Sequence, residues 1–448
     1  MSRPLRFERR DEPLGEIPQT PSAESGSITA ESATHVGRVR EARATQVSSG
    51  YKRTGVGMIP EDWETIPLGR ICSMKSGESI TSADIDDTSR FPCHGGNGLR
   101  GLTNRFTHSG RFALIGRQGA LCGNVVGVSG QFFASEHAVV VTAFRQTDIG
   151  WLTYVLGGMR LNQYSESSAQ PGLSVAKLLL LDVACPPTKA EQRAIATVLT
   201  DVDALIGSLE ALIAKKRAIK RAAMQQLLTD RIRLPGFSGE WETRRLGELG
   251  VFRKGKGIKR TELREIGVRC VRYGELYTRY QNYVVNPVSR IPKDVAATAL
   301  RIEKGELLFA GSGETAEEIG ICVAYIGEEP AYAGGDIIVL RAPGQDPVYL
   351  AHLLNAPVAA RQKARMAQGD AVVHIRADHL AEIELPLPLV REQRAIAAVL
   401  SDMDAEIEAL ERRLDKARAL KQGMMQQLLT GSIRLPIPEA VPEDDPGG

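Results

Sequence analysis

The sequence predicts an α/β protein: two mixed α/β domains separated by two long helices that form an antiparallel coiled coil with pseudo-two-fold symmetry. Three observations carry this expectation. Residues 191–235 begin EQRAIATVLTDVDALIGSLE and close with MQQLLTDRIRLP. They recur as residues 392–436 at a constant offset of 201 without a gap, with 28 of 45 paired positions identical. That is a duplication, not chance. Each copy carries an apolar residue every three or four positions, and each follows a globular segment whose opening resembles the other's: Trp63-Glu64-Thr65 with Leu68-Gly69, then Trp241-Glu242-Thr243 with Leu246-Gly247.

The repeated stretches are the helices. Apolar side chains fall at Ile195, Leu199, Val202, Ile206, Leu209 and Ile213, then at Ile396, Leu400, Met403, Ile407, Leu410, Leu414 and Ala417. Steps of four and three held over several heptads draw one narrow seam, the coiled-coil pattern. A core helix of an ordinary domain has a wider apolar face. Thr188 with Glu191 fits a capping box after Pro186-Pro187, whereas the second copy has Leu389 at the cap. Gly431 suits the left-handed position past the second helix, and Pro235 and Pro436 bar continuation. A helix of ~39 residues is roughly 58 Å long.

The boundaries follow. Residues 1–50, with one aromatic and much Ser, Ala, Glu and Arg, read as a disordered tail. Residues 51–187 form the first domain, 188–235 the first helix, 236–388 the second domain, 389–436 the second helix, and 437–448 a flexible tail. In the domains, short β-rich runs such as Ala138–Val141 and Ile337–Leu340 are broken by Gly-rich turns. The 448 residues give room for two or three domains, and a net charge of +2 marks neither a basic nor an acidic protein. Six scattered cysteines without a C-x-x-C pair point to reduced thiols in a cytoplasmic protein. No apolar run approaches the ~18 residues of a membrane span, and the N-terminus has no signal-like apolar stretch.

Past their openings the two domains diverge almost completely while the helices stay alike, so one scaffold bears two different surfaces. In the second domain, Arg253, Lys254, Lys256, Lys259 and Arg260 form a glycine-spaced basic cluster. The following stretch sets Arg272 and Arg279 among Tyr273, Tyr277, Tyr280 and Tyr283. In the first, Asn97, Arg100, Asn104, Arg105, Arg117 and Gln118 lie on Gly-bracketed turns. Such groups suit phosphates and base edges; the alternative is a solvated basic face. On the helices, Gln192, Arg193, Gln225 and Gln226 recur as Gln393, Arg394, Gln426 and Gln427. Either each copy docks one of two identical partners through this face, or a recent duplication has not yet diverged.

No active site is legible. Phe309 to Gly313 reads FAGSG, which matches the F-x-G-x-G pattern of adenine methyltransferases. No N-P-P-[FY] or D-P-P-[FY] loop accompanies it, and a tight turn is the expectation. GSGET lacks the Gly-Lys-Ser/Thr of a phosphate loop, and the histidines share no metal-ligand spacing. The expectation is no catalytic residue, no metal and no cofactor.

The order domain, EQ-x-A-I-A helix, domain, helix resembles the specificity subunit of Type I restriction–modification systems. Pro186-Pro187 with Glu191 to Ala196, Pro386 to Pro388 with Glu392 to Ala397, the Gln-Gln-Leu-Leu-Thr endings, Trp63, Trp241 and residues 306–320 carry the resemblance. It implies two target-recognition domains, each reading one half of a bipartite sequence in double-stranded DNA. It also implies docking of two methyltransferase subunits on the helices, motor-nuclease subunits joining for cleavage, and no chemistry in this chain itself. The helices would then act as a ruler between the half-sites. The rival from another class is a non-enzymatic coiled-coil scaffold joining proteins; a free-standing methyltransferase is disfavoured by the missing loop.

Overall fold

A computed structural model describes residues 49–96, 98–119, 121–165, 172–369 and 372–436. The expected tails therefore lie outside the described residues, apart from Ser49 and Gly50. The chain divides into two compact units, Met1–Ala194 with Gln427–Gly448, and Ile195–Gln426.

The first unit is built on a six-stranded sheet in the order Cys72–Ser76, Ala138–Ala143, His108–Gly116, Val125–Ala134, Phe91–Gly95, Gly98–Thr103. Its pairings are antiparallel except where Phe91–Gly95 runs parallel to the end of Val125–Ala134. The helix Ile149–Gly158 buries Trp151, Leu152, Val155 and Leu156. After the hairpin Tyr51–Thr54 and Gly57–Pro60, the strand Glu64–Pro67 pairs antiparallel with Asp182–Cys185, the last strand before the long helix. Trp63, just ahead of Glu64–Pro67, is fully buried.

The second unit repeats the plan in pieces. A five-stranded sheet runs Val251–Lys254, Ile337–Arg341, Glu306–Ala310, Cys322–Tyr325, Tyr283–Val284, and a four-stranded sheet runs Ser289–Ile291, Val268–Val271, Ala331–Ala333, Leu300–Ile302. The single long strand Val125–Ala134 of the first unit is here two strands, Cys322–Tyr325 and Ala331–Ala333. The second of these again pairs parallel, with Val268–Val271. Opening and closing strands meet as before, Glu242–Arg245 against Glu384–Leu387.

The two long helices are Lys189–Leu227 and Val390–Leu428, 39 residues each. Thr188 Oγ1 accepts the Glu191 N–H at 3.2 Å, half of the expected capping box; at the other start the backbone carbonyl of Leu389 accepts the Glu392 N–H at 2.8 Å. Past the ends, Gly431 is left-handed at φ +68° as expected, and Asp230 takes the same conformation at φ +57° in the first copy. Asp is among the few non-Gly residues that tolerate it.

Leu209 and Ile213 pack on Leu414 and Ala417, with Ile206 and Leu410 at the margin. Ion pairs fix the direction as antiparallel: Asp203–Lys421, Glu210–Arg418, Arg217–Glu411 and Lys220–Asp404. With the offset of 201 between copies, Glu210–Arg418 maps onto Arg217–Glu411, and Asp203–Lys421 onto Lys220–Asp404. The ion pairs thus come in symmetry-related couples, which is the pseudo-two-fold expressed in residues.

Candidate nucleic-acid interface

Each unit gathers Gly-rich loops at one end of its main sheet, and backbone hydrogen bonds fix them in the same way. In the first, the strand ending at Gly116 passes into Arg117. The Arg117 N–H donates to the His137 carbonyl at 2.9 Å, and its carbonyl accepts from the Leu173 N–H at 3.0 Å. In the second, Gly311 donates to the Asp336 carbonyl at 2.7 Å and accepts from Ile375 at 3.0 Å. The following residue forms a backbone bridge in both: Gln118 opposite Gly172, Ser312 opposite His374. Gly77 and Gly255 complete the match by donating to the Ala138 and Ile337 carbonyls at 3.0 and 2.8 Å. A Cβ on either glycine would fall within 2.2 Å of backbone oxygen, so only glycine fits.

On this common frame the side chains differ. In the first unit, Arg117 Nη1 donates to Ser76 Oγ at 3.0 Å. The exposed Gln118 has Oε1 3.2 Å from His137 Nδ1, and His137 Nε2 lies 3.3 Å from Glu136. In the second, Ser312 Oγ lies 3.0 Å from His374 Nδ1, and Tyr277 donates its hydroxyl to the Ser312 carbonyl at 3.1 Å. FAGSG is therefore a strand end running into a two-residue bridge with Val373–His374, not an isolated turn.

The remaining candidates separate into groups. Asn104 accepts from Ser89 at 3.0 Å and Arg105 lies over the Phe133 ring at 4.8 Å, both beside the 79–89 loop. Arg100 is exposed along Gly95, and Asn97 lies outside the described residues. Lys254, Lys256, Lys259 and Arg260 are exposed. Arg253 is held at 2.5 Å by Glu306, a carboxylate with 1% exposure, so this guanidinium already has a buried counter-charge. Arg272 pairs with the buried Glu275 at 3.2 Å, with Tyr273 exposed beside it. Arg279, itself exposed, instead lines an open cavity of about 350 Å³ with Asp404, Glu408 and Glu411 of the second long helix. The basic-aromatic stretch is thus split between two environments.

The docking residues need one correction. Gln192 and Gln393 are buried, and the expectation that they face a partner fails on their bonding. Gln192 Oε1 accepts the Asp148 N–H at 2.8 Å, and the Asp148 carboxylate caps the helix Ile149–Gly158 through Trp151 N–H. Gln393 does the same for Asp346 at 3.0 Å, which caps Pro347–Asn355 through Tyr349 N–H. Their recurrence has an internal cause: each glutamine ties its long helix to its own domain. Arg193, Gln225, Gln226, Arg394, Gln426 and Gln427 are exposed.

Sequence reasoning missed Arg233 and Arg434, the arginines of the two IRLP endings. Each reaches a buried glutamate, Glu392 and Glu191, and lies over a domain-opening tryptophan, Trp241 at 5.7 Å and Trp63 at 5.8 Å. Identity between copies at an Arg and at a Glu was the available signal. The six cysteines are free and buried; burial pushes the Cys72, Cys270 and Cys322 thiols up to about 12.

With the frame in place, the comparison with known proteins decides the family. The profile described as Type I restriction modification DNA specificity domain matches residues 60–217 and 238–418. The chain belongs to this family. Such specificity subunits are the DNA-recognition components of their systems, not the catalytic ones. The Type I restriction enzyme EcoprrI specificity subunit of Escherichia coli is 44% identical over 146 residues, 32% of this chain and 36% of that relative. The Type I restriction enzyme MjaVIII specificity subunit of Methanocaldococcus jannaschii is 23% identical, covering 84% of this chain and 94% of that one. The solved Type-I restriction-modification system S subunit from M. genitalium shares the fold, with a TM-score of 0.62 at 17% identity over 86% of this chain and 97% of that one. No helix among the described residues is long and apolar enough to cross a membrane.

Proposed function

We propose that each domain reads one half of a bipartite sequence in duplex DNA in the cytoplasm, and that the paired long helices dock two methyltransferase subunits. Motor-nuclease subunits join that assembly for cleavage. The observation that carries the reading is the shared loop frame: the same backbone hydrogen bonds in both units hold Arg117, Gln118 and His137 in one, and Gly311, Ser312 and Asp336 in the other. A constant frame with exchanged side chains is what two unlike half-sites require. The exposed Lys254, Lys256, Lys259 and Arg260 suit phosphates, which position a protein on duplex without choosing sequence. For docking, the exposed Gln225-Gln226 and Gln426-Gln427 pairs lie beside Ile232 and Ile433, equivalent isoleucines that stay about half exposed.

The test is selection of bound duplexes from a randomised pool by the full chain with its methyltransferase subunits. Two unlike, separated half-motifs and affinity falling steeply with salt are expected. A pool that stays random would sink the reading and favour a protein–protein scaffold.

A further inference from the structure

We propose that base choice in the second domain is made by Asp336 together with the Ser312–His374 pair, the positions that replace His137, Gln118 and Gly172 of the first domain. The inference rests on the DNA-reading function above and names the groups that do the reading.

The equivalence comes from hydrogen bonds, because residue identity gives none. His137 and Asp336 are the residues whose carbonyls receive the N–H of Arg117 and Gly311. Gln118 and Ser312 follow directly on those two donors, bridged to Gly172 and His374. Four positions are thereby matched, and all four differ: Arg117, Gln118, His137 and Gly172 against Gly311, Ser312, Asp336 and His374. Every exchange alters hydrogen-bonding capacity, whereas the surrounding glycines Gly77 and Gly255 stay glycine. Duplicated domains that keep a backbone frame while the side chains on it change in hydrogen-bonding capacity are diverging in what they bind.

The chemistry of the two sets differs in charge. The first offers donors: the Arg117 guanidinium and the Gln118 amide, the latter able to pair with an adenine edge as donor and acceptor. The second offers a carboxylate, Asp336, which only accepts, beside a serine–histidine pair that can do either. Asp336 is exposed and makes no ion pair among those found in the described residues. A carboxylate facing a polyanion is repelled by phosphate, and it gains only by accepting from an exocyclic amine, the cytosine N4 group foremost. His374 Nδ1 is engaged with Ser312 Oγ, so its Nε2 is the nitrogen turned to a ligand; its ring is exposed. The second domain's half-site should therefore contain a base pair presenting an amine in the major groove at the Asp336 position.

The experiment selects duplexes from a randomised pool with the full chain in its methyltransferase complex, for the natural sequence, Asp336→Asn, Asp336→Ala and His374→Ala. Asn keeps the left-handed backbone that Asp336 adopts at φ +59°. The expected result is relaxed or switched preference at one or two adjacent positions of one half-motif, by about 5- to 150-fold, the range for one good base contact. The other half-motif serves as the internal control for folding and should be unchanged. Selection by the natural chain with both half-motifs unaltered in all three variants would overturn the inference while leaving the DNA-reading function intact. So would equal loss at both half-motifs. No selection by the natural chain would fail the function itself.

Discussion

Arg434 closes on Glu191 with both Nε and Nη2, across 243 positions of sequence, and Nη2 lies 2.9 Å from the carboxylate. It also reaches Asp62 through Nη1 at 2.9 Å and lies over the Trp63 ring. The symmetry-related contact joins Arg233 to Glu392 at 2.5 and 2.6 Å, with the guanidinium over Trp241. In each unit the segment that follows one long helix locks the start of the other long helix and the first tryptophan of a domain. Residues 427–436 are thus part of the first unit, although all of Ile195–Gln426 intervenes in the sequence.

Removing Arg434 should therefore destabilise the first unit. Glu191 is 2% exposed, and Arg434→Ala leaves that carboxylate buried without a counter-charge. A wholly buried broken pair costs ~3–5 kcal/mol; with Arg434 38% exposed, about 2–3 kcal/mol is expected. Urea unfolding measures it. Loss under 0.5 kcal/mol, a ~ surface-pair value, would mean that water replaces the guanidinium.

The glutamines make a second prediction. Gln192→Ala strips the acceptor from the buried Asp148 N–H and loosens the cap of Ile149–Gly158. An unsatisfied buried amide costs ~1–3 kcal/mol. Amide hydrogen exchange should accelerate at Asp148 and along the first turn of that helix. If it stays unchanged while methyltransferase docking is lost, Gln192 would be a partner contact after all.

Arg279 and the loop lysines should behave differently on DNA. Lys256→Gln and Lys259→Gln should each reduce the slope of log affinity against log salt by ~0.9, equally for all sequences, if each meets a phosphate. Arg279→Ala should leave affinity and sequence choice unchanged, because Arg279 lines the cavity with the acidic Asp404, Glu408 and Glu411. Binding isotherms at several salt concentrations decide; a slope change in Arg279→Ala would return it to the DNA face.

The duplication, the helices and their antiparallel pairing were legible because periodicity and identity between copies are local, countable signals. Ile195 to Ile213 and Ile396 to Ala417 announce a seam wherever the rest of the chain lies. The shared loop frame was not legible. It is made by backbone atoms of Arg117, His137, Gly311 and Asp336, and backbone hydrogen bonds leave no mark on residue type. Identity between copies was also misleading at Gln192 and Gln393. A polar residue on a helix reads as surface, yet these two satisfy buried backbone groups of the next element. The split of the basic-aromatic stretch was hidden for a similar reason: the short helix Tyr273–Thr278 turns Arg272 and Arg279 to different surroundings.

His352 sets a pH dependence for the second unit. It is fully buried on the helix Pro347–Asn355, with Nε2 3.8 Å from Asp404 Oδ2. Asp404 is engaged by Lys220, so its charge does not favour a second cation nearby. Burial, and then the Lys220 ammonium, depress the His352 pKa from 6.5 to about 3. In the unfolded chain the imidazole takes up its proton near pH 6.5, whereas the folded protein refuses it until about pH 3. Stability from this group is therefore fully present above pH 6.5 and is lost progressively as pH falls from there toward 3. Between pH 7.5 and 5 the loss should be about 2 kcal/mol. His352→Leu keeps the apolar volume and removes this titrating group, so its urea-unfolding free energy should fall less over that interval, the remainder coming from the carboxylates and from His94 and His108, whose pKa values burial also lowers. An equal acid loss in the variant would show that His352 does not carry the pH dependence.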